Sequence, residues 1–130
     1  MSNYALIKTV STDFDATIEA VKAALMTQGF GVLTEIDLSA TFKKKLDIDY
    51  PRSVILGACN PKFAHQALSA EKNISTLLPC NVVVREDENG SVEVAALNPN
   101  MMESVVNNAG VTTVANQVTK HIQAALDVLK

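Results

Sequence analysis

The chain has 130 residues, 48% of them hydrophobic and 19% charged, with 5 Gly and 4 Pro. That length suits one domain able to bury its own core, and that composition excludes disordered, collagen-like and low-complexity classes. A net charge of −3 and the lack of Trp leave neither the basic surface nor the stacking rings that nucleic-acid binding needs, so no nucleic-acid partner is expected.

Residues 1–130 read as a single domain. Tyr4, Leu6, Lys8 and Val10 alternate with Ala5, Ile7 and Thr9, the period-two pattern of a strand. Ser11-Thr12-Asp13 then supplies capping oxygens, and Phe14, Ile18, Val21 and Leu25 recur at helical spacing until Gly29. Phe30 to Ile36 is apolar and β-branched enough for a second strand, after which Asp37 or Ser39 caps a short helix over Ala40 to Leu46. The run Lys43-Lys44-Lys45 on that helix reads as a solvated face, with an anion site as the alternative.

Ser53 to Cys59 is apolar on both faces, as in a central strand covered on each side or placed at a dimer contact. Asn60 and Pro61 predict an N-cap and first helical position, with helix to about Lys72 and a connector over Asn73 to Pro79. Cys80 to Glu86 and Ser91 to Leu97 read as antiparallel strands joined by a turn at Asp87-Glu88-Asn89-Gly90. Asn98-Pro99 repeats the earlier Asn-Pro step and predicts a helix through Met101, Met102, Val105 and Val106 that Gly110 ends. Thr112 or Thr113 then caps a last helix whose stripe is Val114, Val118, Ile122, Ala125 and Leu129. The expected fold is α+β: a five-stranded mixed or antiparallel sheet with about four or five helices.

Met1-Ser2-Asn3-Tyr4 shows no basic stretch ahead of an apolar run, so no export signal is read there. The longest apolar run, Val54 to Cys59, is far short of the ~20 residues that cross a bilayer. A cytoplasmic protein with no membrane partner is expected, its 2 Cys reduced rather than paired.

Dinucleotide, phosphate-loop, zinc-protease and hydrolase motifs are absent: Gly29-Phe30-Gly31, for example, lacks a third glycine because position 34 is threonine. What remains is the pair Cys59-Asn60 and Cys80-Asn81. Cys59 precedes a helix whose N-terminus favours an anion, and Lys62 adds a positive charge. The alternative is that each cysteine is a small buried hydrophobe. Should strand four run antiparallel to strand three, the two cysteines become neighbours; in a parallel arrangement they stand a strand length apart.

His65 lies at the edge of an apolar arc formed by Phe63, Ala64, Ala67 and Leu68, and reads first as a rim histidine. Glu35 shares a face with Leu33 in a regular strand and is expected to be partly buried, unless the strand ends there. Taken together, Glu35, Cys59, His65 and Cys80 are ligand types suited to Zn or Cu(I), at a spacing that fits no standard zinc motif; Asn60, Asn81 and Lys62 would surround them.

The stretches Ile55-Leu56-Gly57-Ala58-Cys59-Asn60-Pro61, Ala64-His65 with Ala67-Leu68, and Leu77-Leu78-Pro79-Cys80-Asn81-Val82-Val83-Val84 resemble the family called domain of unknown function 302. Gly31 to Asp37 is similar to its second strand. The resemblance implies a small α+β protein, often dimeric, in a family with no agreed activity. It places Glu35, Cys59, His65 and Cys80 on motif positions without giving them a role. Ile74-Ser75-Thr76 departs from the family, where a glycine follows the isoleucine.

Three functions follow as expectations. The first is binding or sensing of a soft metal ion or sulfur species through Cys59 and Cys80. The second is a structural or interaction homodimer with no chemistry, using the strand-three surface. An enzyme has least support, because no nucleophile, base and oxyanion set assembles from these residues.

Overall fold

The computed structural model describes residues 4–130. Met1, Ser2 and Asn3, on which the reading of the N-terminus rests, lie outside them. The strands are β1 (Ala5–Val10), β2 (Gly31–Asp37), β3 (Ser53–Cys59), β4 (Cys80–Glu86) and β5 (Val92–Leu97). They form one antiparallel sheet in the order β1-β5-β4-β3-β2. Four α-helices accompany it: α1 (Phe14–Thr27), α2 (Leu38–Leu46), α3 (Pro61–Ala70) and α4 (Ala109–Asp127). Two 3-10 helices, Lys72–Leu77 and Pro99–Ser104, bring the helical segments to six, above the four or five expected because the connector after α3 winds into i→i+3 turns.

One face of the sheet packs against helices. Leu56, Val82, Val84, Val94 and Ala96 are at most 2% exposed there and meet Val21 and Leu25 of α1 and Ile122, Ala125 and Leu126 of α4. Each such side chain contributes ~1.5–3 kcal/mol by leaving water. The ammonium of Lys8 donates to the carbonyls of Leu126 at 3.1 Å and Asp127 at 3.2 Å, tying β1 to the end of α4, where the helix dipole favours a cation.

α1 starts and stops as its residues dictate. Asp13 accepts from Ala16 N at 2.7 Å. At the other end Gly29, at φ 83°, lets Gly29 N reach Met26 O and Phe30 N reach Leu25 O, the paired bonds of a Schellman ending. The strand that follows holds a bulge between Val32 and Thr34. This extra residue reverses the alternation, so Glu35 pairs with the inward Leu56 and turns to the helix side, away from the face that a regular strand would share with Leu33. There Glu35 meets Lys22 of α1 at 2.8 Å and raises the lysine's pKa, chiefly through that hydrogen bond.

Two capping expectations are corrected. Asn60 stands at the N-cap of α3 but makes no capping bond; its Nδ2 instead donates to Gln28 O at 3.1 Å, satisfying a carbonyl at the end of α1. Asn98, with the same Asn-Pro step, does cap, accepting from Asn100 N at 3.1 Å, yet the helix it opens is a short 3-10 turn ending at Ser104. The last helix is capped by Asn108, whose Oδ1 accepts from Gly110 N at 2.9 Å and Val111 N at 3.2 Å, and not by Thr112 or Thr113. Gly110 therefore lies inside α4, where a Cβ would come 2.9 Å from Ala70 Cβ: the glycine gives clearance against α3 and does not end a helix.

Candidate functional site: a cavity shared by two cysteines

β3 and β4 run antiparallel with Ala58 opposite Cys80. The chain leaves β3 at Cys59, runs through α3 and the first 3-10 helix, and returns at Cys80 beside the point it left. Both cysteines consequently line one cavity of about 40 Å³, roofed by Phe63 and Ala67 of α3 and closed by Ile74, Met102, Val111 and Val118. A water-sized body takes ~10–15 Å³, so the space holds a few of them at most. Asn60 is the one polar side chain on these walls apart from the thiols, and its amide already bonds Gln28.

The two thiols differ in setting. Cys80 is buried at 8% exposure, and burial pushes its pKa up to about 11, with an electrostatic contribution from the nearby Cys59 in the same direction. Cys80 is thus a neutral thiol at physiological pH. Cys59 is partly exposed at the cavity rim, one residue before α3.

The other residues singled out from sequence lie elsewhere. His65 is exposed on α3 and lines no part of the cavity. Glu35 is engaged with Lys22 at the β2 edge. Asn81, opposite Gly57, is exposed on the far side of the sheet, whereas Asn60 lines the cavity. Lys62 is exposed, its ammonium 6.0 Å from the Phe63 ring centroid. Among the described residues no group of three or more His, Cys, Asp or Glu side chains is placed to hold a metal ion. Glu35, Cys59, His65 and Cys80 accordingly do not form one ligand set.

The histidine that the sequence reading passed over is His121. Its Nδ1 lies 2.8 Å from Gln28 Oε1, and its ring packs on Phe63 with centroids 5.4 Å apart. The amide oxygen only accepts, so Nδ1 carries the proton. Gln28 thereby joins α4 to the Asn60 segment and fixes the cavity's roof. The signal was available: His121 falls three residues after Val118 and one before Ile122, at the margin of the buried stripe.

The description "Domain of unknown function DUF302" fits residues 6–129 of this chain. The chain belongs to the DUF302 family. The crystal structure of an uncharacterized conserved DUF302 protein from Bacillus stearothermophilus is similar throughout, with 28% identity and a TM-score of 0.92 over 99% of this chain and 100% of that one. No curated protein matches. Among the described residues no helix is long and apolar enough to cross a membrane.

Proposed function

We propose that this DUF302 domain binds a small soft ligand, a metal ion or a sulfur species, through Cys59 and Cys80. The observation that carries the reading is that two cysteines 21 positions apart in the chain line the same apolar cavity. Its walls offer no charged group to a polar metabolite and no general base, which favours binding over catalysis. The test exposes the protein separately to Cu(I), Zn(II) and inorganic polysulfide and records the intact mass under native conditions. One of these probes should give a one-to-one adduct that is lost in both Cys59→Ser and Cys80→Ser. No adduct from any probe, or one that survives in both variants, sinks the reading.

A second reading is supported by the sheet's other face. Ile7, Ala95, Val83, Ile55 and Ile36 are register partners across all five strands and form a continuous apolar row there. Ile7 remains 50% and Ile36 47% exposed. The row is flanked by Asn81 and Thr34 on one side and by the Arg85–Glu93 pair, at 3.3 Å, on the other. An apolar centre with a polar rim is the anatomy of a protein interface. Adjacent opposite charges suit a second copy of this chain, whose Glu93 would meet Arg85 across a twofold axis.

A further inference from the structure

α2 carries an apolar stripe that its own chain leaves uncovered. Leu38, Phe42 and Leu46 recur every four residues and share one side of the helix. None of its 9 residues is buried, and Leu46 is 62% exposed. The segment leading back to β3 adds Ile48 and Tyr50, 48% and 50% exposed, with the Tyr50 ring edge-on to Phe42 at 4.9 Å. A helix this short is marginal in water on its own hydrogen bonds, and packing of an apolar side is what normally stabilises it. Ser53 N donates to Ser39 Oγ at 3.4 Å, so α2 begins beside β3, at the corner where the apolar row ends in Ile36.

We propose that α2 is an arm that lays its apolar side on β1 of a second copy of this chain, and that its helical state depends on that contact. The inference rests on the second reading above, the homodimer through the sheet's other face, and names the segment that completes it. The row is too small alone. Ala95 within it is 7% exposed, Val83 and Ile55 are half-buried, and the uncovered surface lies at the two ends, Ile7 and Ile36. A specific dimer draws ~800 Å² from each partner, about 20–30 residues a side. Phe42, Leu46, Ile48 and Tyr50 extend the apolar surface from the Ile36 end.

The strand order fixes where that extension falls. A twofold axis along β4, the middle strand, lays β2 of one copy over β1 of the other, so that Ile36 meets the partner's Ile7 and the two exposed ends cover each other. α2 follows β2 without a break and is carried to the same edge. β1 is an edge strand, and a helix laid over such an edge shields it from uncontrolled pairing.

The experiment is hydrogen exchange read by mass spectrometry on the full chain, with sedimentation at the same concentrations. In the dimer the amides of residues 38–46 should be protected. On dilution to monomer, or in Val83→Glu, they should exchange as an unfolded peptide does while β3, β4 and β5 stay protected. Leu46→Glu should weaken dimerisation about tenfold or more. Placed in the Val83→Glu monomer, the same change should leave the thermal transition where it was, because Leu46 is uncovered in the single chain. A dimer whose α2 exchanges freely, α2 protection equal in monomer and dimer, or a dimer indifferent to Leu46→Glu overturns the arm and leaves the sheet interface standing. A chain that sediments as a monomer at every concentration removes both.

Discussion

Cys59 and Cys80 show how strongly environment separates two chemically identical side chains. One ends its strand at a rim, and the other starts its strand under a helix, where loss of solvent holds it protonated with a pKa of about 11. Gly57, two residues earlier, is as constrained. A Cβ there would overlap Thr34 Oγ1 and stand 3.0 Å from Pro79 Cγ, because both side chains fold over this point of β3. Gly57→Ala should cost ~1–3 kcal/mol through overpacking, read by urea denaturation. Adding Thr34→Ala removes the nearest clashing atom and should recover part of the loss; a double variant no more stable than Gly57→Ala would show that Thr34 is not the obstacle.

α2 depends on its start more than on its packing. None of its residues is buried, and Asp37 accepts from Ala40 N at 2.9 Å and from Ser39 Oγ at 2.7 Å. Those bonds, that to Ala40 first, hold the Asp37 carboxyl below the ordinary value of 3.8. A carboxyl with a folded pKa below its unfolded one stabilises the fold above the unfolded value and loses that contribution as pH falls through the folded one. Asp37→Ala should cost about 1 kcal/mol near neutrality. Asp37→Asn keeps a capping oxygen and should flatten the acid limb of a stability profile below about pH 4. An unchanged acid limb in Asp37→Asn would count against this account. The lysine run belongs to the same element: Lys43 pairs with Asp47 at 3.1 Å and Asp49 at 3.2 Å, a local ion cluster at the end of α2.

At the scale of the molecule, helices cover one face of the sheet, while the row from Ile7 to Ile36 crosses the other. Sheet faces of this kind pack on one another ~10 Å apart, and a specific dimer buries ~1,200–2,000 Å² in total. Sedimentation at micromolar concentration should therefore report a dimer. Val83→Glu, at the centre of the row, should return it to a monomer while preserving the thermal transition, since position 83 faces away from the helix-side core. A wild-type chain sedimenting as a monomer would defeat the interface, and a dimer indifferent to Val83→Glu would move it elsewhere.

Local chemistry made much of this protein legible from sequence. Asp13, Gly29, the Asp87–Gly90 turn and the bounds of β3 and β4 follow from caps, backbone freedom and side-chain period, each of which acts within a few residues. The nearness of the β3 end to the β4 start, which brings Cys59 and Cys80 to one cavity, was legible only as a condition, because strand direction depends on where twenty intervening residues carry the chain. Tertiary structure decided the rest. The bulge at Leu33 turned Glu35 from a candidate ligand into a partner of Lys22, since one unpaired residue reverses every side chain after it. Asn60 gave its amide to Gln28 and left its helix uncapped, because the carbonyl ending α1 came within reach. Met102 came to line the cavity of the two cysteines, and His121 reached Gln28 and the Phe63 ring, through packing of elements distant in the chain. Capping and periodicity are short-range and can be read in order; convergence at a cavity is set by how sheet and helices stack, which no short stretch of residues contains.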